Sequence, residues 1–280
     1  MPGERRDLTD SRMPPRPYFL KEIEALGDEI GFVDAVHELL RRDNISVNVE
    51  GDIDRLEEHD GGILFTGNHK NQWEFVALMD MLGQIGRDKL LHIAKFYVQR
   101  QLRQALGETA ARQVLPVYPR ILASDRGEFF NAETLNRVLY RRFLLTKEES
   151  DTANETTLQT AAEFLDEDGV VNIFPCGSVV DARTHPWRAG VGRIIRKLPE
   201  EGRGDVLVAP YGIEDVSWWR LVGAVAVRGR GIIGRPQEID MTVGPLQTAG
   251  EIVASLPKSD RDDPVKITEH LQRQFIDHFS

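Results

Sequence analysis

The sequence predicts an α/β fold: a largely parallel central sheet flanked by helices, with an N-terminal helical segment. Three observations predict it. Short apolar runs such as Ile63-Leu64-Phe65, Val170–Phe174 and Val206–Pro210 alternate with longer segments whose apolar residues recur every three to four positions. That alternation is the pattern of strands separated by helices. Turn-forming residues follow the runs, as in Gly67-Asn68 and Pro175-Cys176-Gly177-Ser178. There is no internal repeat and no linker long enough to separate two domains, so residues 17–280 read as one domain behind a flexible arm, 1–16.

Each element follows from its local pattern. From Tyr18 to Arg42 the spacing of Phe19, Ile23, Leu26, Ile30, Val33, Val36 and Leu40 predicts one or two helices, with a break at Gly27. Ile45–Glu50 alternates as a strand and Gly51 ends it. A strand at 62–66, a helix from Glu74 to about Ile85, a strand from Lys89 to Ala94 and a helix from Phe96 to Leu106 come next. Val114–Tyr118 contains Pro116, which confines it to a sheet edge or an irregular strand. Residues 121–150 read as an insertion, and Thr152–Glu167 as an amphipathic helix. Strands at 170–174, 206–210, 224–227 and 238–243, a helix at 190–198 and a final helix, Pro264–Phe279, complete the chain.

A net charge of −10 argues against nucleic acid as a partner, because phosphate binding needs a basic surface. The single cysteine, Cys176, leaves no internal disulfide and no cysteine-cluster metal site. No apolar run approaches the roughly 20 residues that span a bilayer, so the expectation is a cytoplasmic chain, with any membrane contact peripheral.

One stretch concentrates chemistry: Gly67-Asn68-His69-Lys70-Asn71-Gln72-Trp73-Glu74. It puts a histidine at the exit of a buried strand and a carboxylate at the mouth of a helix, where open α/β sheets tend to build their sites. Residues five apart on one helix point about 140° away from each other. His69 must then sit in the turn before the helix, with Glu74 in the first turn reaching back. A carboxylate on one imidazole nitrogen leaves the other free to act as a base. The same residues also fit a loop histidine beside a surface glutamate.

Four blocks, in order, resemble the glycerolipid acyltransferases, the family of glycerol-3-phosphate and lysophosphatidate acyltransferases. They are Asn68-His69 with Glu74; Val114–Arg120 (VLPVYPR); Ile173–Ser178 (IFPCGS) followed by Trp187–Gly192; and Val208–Ile213 (VAPYGI). The resemblance spans roughly 45–245 and implies that family's fold. It further implies transfer of a fatty acyl group from acyl-CoA or an acyl carrier protein to a hydroxyl acceptor, with no metal or redox cofactor. His69 would be the general base and Glu74 its orienting acid. Arg120 would hold an acceptor phosphate, with Lys95, Gly177 and Ser178 on the same side. The chain departs from the family in four places. Glu74 stands where aspartate is usual, Cys176 replaces a glutamate, Val179 replaces an arginine, and Val114 stands where a glycine usually opens the second block. The acceptor-side departures point to a bulkier or non-phosphorylated acceptor. Cys176 also raises a covalent acyl intermediate, against the simpler role of a small residue filling the vacated position. Two further functions fit the same residues: a hydrolase in which His69 and Glu74 activate water, and a non-catalytic lipid- or acyl-carrier-binding protein.

Overall fold

The computed structural model describes residues 25–42, 45–67, 73–95, 99, 103, 108, 111–117, 147–176, 182–213 and 237–279. The expected arm, most of the 96–106 helix, residues 118–146 and the 224–227 strand lie outside these.

Residues 25–30 are helical, and the chain then turns at Gly31, whose φ of +95° is open to glycine at no steric cost. The helix break thus falls at Gly31 and not at Gly27, which lies within the helical stretch. Helix α1 follows, Phe32–Arg42, and its buried stripe is Val33, Val36 and Leu40. Strand β1 is Ile45–Glu50, a short helix α2 is Ile53–Glu58, and β2 is Ile63–Gly67, buried throughout. Helix α3 (Trp73–Gln84) carries buried Ala77, Leu78, Met79, Met81 and Leu82, apolar on most sides, as a helix wedged between a sheet and a second helix must be.

Strands β3 (Leu90–Lys95) and β4 (Val114–Val117) come next, then the long helix α4 (Lys147–Asp166). Residues 147–150, expected to belong to an insertion, are the first turn of α4. The remaining elements are β5 (Val170–Ile173), α5 (Gly190–Glu200), β6 (Leu207–Ile213), β7 (Gln237–Val243), the two-residue β8 (Gln247–Thr248), α6 (Ala249–Ser255) and α7 (Pro264–Phe279).

The strands form one sheet in the order β1-β7-β6-β2-β5-β3-β4, with β8 on β6. β6, β2, β5, β3 and β4 are parallel to one another, whereas β7 and β8 pair antiparallel to β6, and β1 follows β7. The sheet is therefore mixed. The expected parallel body is present, with a reversed margin whose direction no strand pattern could announce.

Two cores cover the two faces. On one, α1 and α3 pack over Ile63, Phe65, Val170, Leu207, Ala209 and Tyr211. On the other, α4, α5, α6 and α7 pack over Leu64, Val171, Ile173 and Val208. The entry to α6 is fixed by a capping box: the Glu251 N–H donates to Thr248 Oγ1 at 3.1 Å, and the Thr248 N–H donates to Glu251 Oε2 at 2.8 Å. That backbone donor holds the Glu251 carboxyl below its ordinary range. Thr248→Ala is expected to cost about 1 kcal/mol in a urea denaturation curve.

Candidate functional site

The five parallel strands run the same way, so their carboxyl ends share one margin of the sheet. β2 ends at Gly67, β3 at Lys95, β4 at Val117, β5 at Ile173 and β6 at Ile213. Each sequence block singled out above contains or directly follows the last residue of one of these strands. In sequence, His69 is two positions beyond β2, Arg120 three beyond β4, and Gly177 and Ser178 four and five beyond β5. Those four residues, and with them the contact between His69 and Glu74, lie outside the described residues, as does the side chain of Lys95.

Glu74 is described. It sits in the first turn of α3 and is only 2% exposed. A carboxylate at that end of a helix is favoured by the unsatisfied N–H groups there. Its neighbour across the sheet face is Tyr211 of β6, which has no exposure at all. Burial pushes the Tyr211 phenol well above its ordinary range, and the Glu74 carboxylate pushes it the same way; a hydrogen bond to Asn172 pulls it partly back.

That hydrogen bond belongs to a buried polar chain that composition and spacing did not reveal. Tyr211 Oη donates to Asn172 Oδ1 at 3.3 Å, and Asn172 Nδ2 lies 2.7 Å from His92 Nδ1. An amide nitrogen can only donate, so Nδ1 accepts and the neutral His92 ring carries its proton on Nε2. The ring of His92 also meets Phe174 edge-on at 5.0 Å. Sheet register explains the gathering. His92, Asn172 and Phe65 align on β3, β5 and β2, and Tyr211 aligns with Gly67. Tyr211 and Asn172 stand on strands separated by β2, roughly 10 Å apart. The phenol crosses that gap by lying over Gly67, where a Cβ would stand 2.4 Å from two ring carbons. The one hint in the sequence was an asparagine inside the apolar run VVNIF.

Removing the phenol oxygen tests this chain. Tyr211→Phe is expected to cost about 1 kcal/mol near neutral pH, because Asn172 loses a buried donor. A second effect appears in alkali. With the native phenol raised, the unfolded chain loses its proton first, so this contribution is complete below about pH 10 and declines as pH rises further. The variant should lack that alkaline decline, read by denaturation at a series of pH values.

A histidine–carboxylate pair does occur among the described residues, between partners the sequence did not join. His37 Nδ1 of α1 lies 2.8 Å from Asp80 Oδ1 of α3, and Gln84 Nε2 donates to the other carboxylate oxygen at 2.9 Å. Asp80 is buried and His37 half-buried, so the pair ties α1 to α3. Cys176 is 6% exposed and packs among the apolar residues beneath α5 and α7, its sulfur 4.0 Å from the His185 carbonyl oxygen. Trp187 closes the same cluster, donating from Nε1 to the Ala182 carbonyl at 3.0 Å. Among the described residues no cluster of His, Cys, Asp and Glu could hold a metal ion, and no helix is long and apolar enough to cross a membrane.

No protein-family model matches the chain, and no curated protein sequence matches it. Among solved structures, the chain is similar to the crystal structure of the 1-acyl-sn-glycerophosphate (LPA) acyltransferase PlsC from Thermotoga maritima, at 17% identity and a TM-score of 0.42, over 94% of this chain and 80% of that one.

Proposed function

We propose that the protein is an acyltransferase that moves a fatty acyl group from an acyl thioester, acyl-CoA or acyl carrier protein, to a hydroxyl of a glycerolipid-like or related acceptor. One observation carries the proposal. Glu74 is a buried carboxylate in the first turn of the helix that follows β2, five residues after His69, at the shared carboxyl margin of five parallel strands. A buried carboxylate needs a cationic or hydrogen-bonding counterpart, and an imidazole that becomes cationic during turnover supplies one.

In this mechanism the His69 ring takes the acceptor hydroxyl proton as the oxygen attacks the thioester carbonyl. The C–O bond forms and the carbonyl electrons move onto oxygen. When the tetrahedral intermediate collapses, the C–S bond breaks and the imidazolium returns its proton to the departing thiolate. Glu74 stabilises the cation between those two steps. Arg120 and Lys95, with the turn at Gly177 and Ser178, serve the acceptor. Cys176 needs no part in the bond changes, since one base suffices for direct transfer.

The test is a mass-spectrometric screen of hydroxyl acceptors with an acyl-CoA, comparing the wild type with His69→Ala. An acylated acceptor formed only by the wild type supports the proposal. Free fatty acid that forms regardless of acceptor assigns a hydrolase instead. If His69→Ala leaves the products unchanged while lipid still binds, the protein is a binding module.

A further inference from the structure

The face of the sheet opposite α3 holds a cavity. It is about 300 Å³ and opens beside the carboxyl halves of β2 and β6, between the sheet, β8 and the helices α6 and α7. That volume is at the lower end for small-molecule sites. Its walls are apolar: Val208, Ile252 and Leu271. At its base stands Thr66 of β2, which has no exposure and whose Oγ1 finds no hydrogen-bond partner among the described residues. The side chains of Gln247, Gln274 and Asp277 also line it, and Asp277 makes no ion pair among the described residues.

A buried hydroxyl left without a partner costs free energy. Here it is placed where a ligand group would satisfy it. Reading outward from Thr66, the cavity offers one hydrogen-bonding group at depth, an apolar sleeve, then amides and a carboxylate. The occupant with that sequence of properties has a hydroxyl at one end, a short hydrocarbon body and a positive charge at the other. The Asp277 carboxylate turns away anions.

We infer that this cavity is a binding site for a small amino alcohol, its hydroxyl on Thr66 and its ammonium at Asp277. The site goes beyond the proposed acyl transfer and does not depend on it. Thr66 points to the face opposite Phe65 and Gly67, so the ligand occupies the side of the sheet away from Tyr211 and Glu74.

The probe is linear aminohexanol, with hexanediol and hydroxyhexanoate as its neutral and anionic analogues. Each is titrated against the full chain by ligand-detected NMR. His278 shares the rim, so the series is repeated with His278→Asn, in which the preference for the amine should persist. The amino alcohol should bind best and the carboxylate worst. Thr66→Val should weaken binding about tenfold, the worth of one buried hydrogen bond, while Thr66→Ser should keep it. Asp277→Asn should erase the margin of the amine over the diol. His69→Ala should bind like the wild type, which separates this site from the acyl-transfer proposal. The inference is overturned if no probe saturates, if the carboxylate binds as well as the amine, or if folded Thr66→Val binds as the wild type does.

Discussion

Replacing His69 with alanine is expected to lower kcat for acyl transfer by about 10²–10⁴-fold, the usual worth of a positioned general base. KM should change little, because the base acts on the proton in flight and contributes little to holding the acceptor. Glu74→Gln provides the companion measurement. It keeps the shape of the side chain and removes the charge, so the imidazolium that forms during attack loses its counter-ion, and the loss should again fall on kcat. Glu74 is buried beside Tyr211, so the thermal stability of the variant is measured alongside its kinetics. Lower activity with equal or higher thermal stability would separate a catalytic role from a structural one. Wild-type kcat in both variants would falsify the assignment of this pair.

Gly67→Ala is expected to be the most damaging single-methyl change at the site. The added Cβ would stand 2.4 Å from Tyr211 Cε1 and Cζ and 2.9 Å from its oxygen. The ring cannot retreat. It is fully buried, meets Phe65 edge-on at 5.9 Å between centroids, and is bonded to Asn172. Overpacking of this kind costs about 1–3 kcal/mol. In a domain of this size each kcal/mol lowers Tm by about 2–4 °C. The double variant Gly67→Ala/Tyr211→Leu isolates the cause. If the ring is the obstacle, the two changes together cost less than the sum of each alone, a coupling readable in a double-mutant cycle. Simple additivity would mean that some other contact is strained.

Most of the architecture was legible because it rests on long or strongly apolar stretches. Ile63–Phe65, Val170–Ile173 and Leu207–Ala209 lie in buried strands, and Pro264–Phe279 is a helix with Ile267, Leu271 and Phe275 buried on one stripe. Three elements escaped for the opposite reason. α2, β8 and α6 have six, two and seven residues, too few to show a period. The reversal of β1 and β7 escaped because alternation specifies which face is buried and not which way the strand runs. At the candidate site, Glu74 lies in the first turn of its helix, as the spacing required. Tyr211, Asn172 and His92 could not be joined from sequence, because they lie 39 and 80 positions apart and meet only through strand order. The histidine paired with a carboxylate among the described residues is His37, whose partner Asp80 is 43 positions away.

The last strand of the described sheet, β4, has a consequence for how the protein behaves in concentrated solution. In a parallel pair alternate residues turn their backbone groups outward, and because the His92 N–H bonds the Gln113 carbonyl, the outward residues of β4 are Val114 and Pro116. Pro116 has no N–H to offer, its carbonyl takes the Thr157 hydroxyl at 2.6 Å, and the Val114 carbonyl takes the Gln99 amide at 2.9 Å. A neighbouring molecule attempting to zip its own strand onto this side would find a single outward N–H across these two residues, too little to template a ladder. The chain's own side chains have in effect hemmed the fabric, so that copies of the protein do not knit together there.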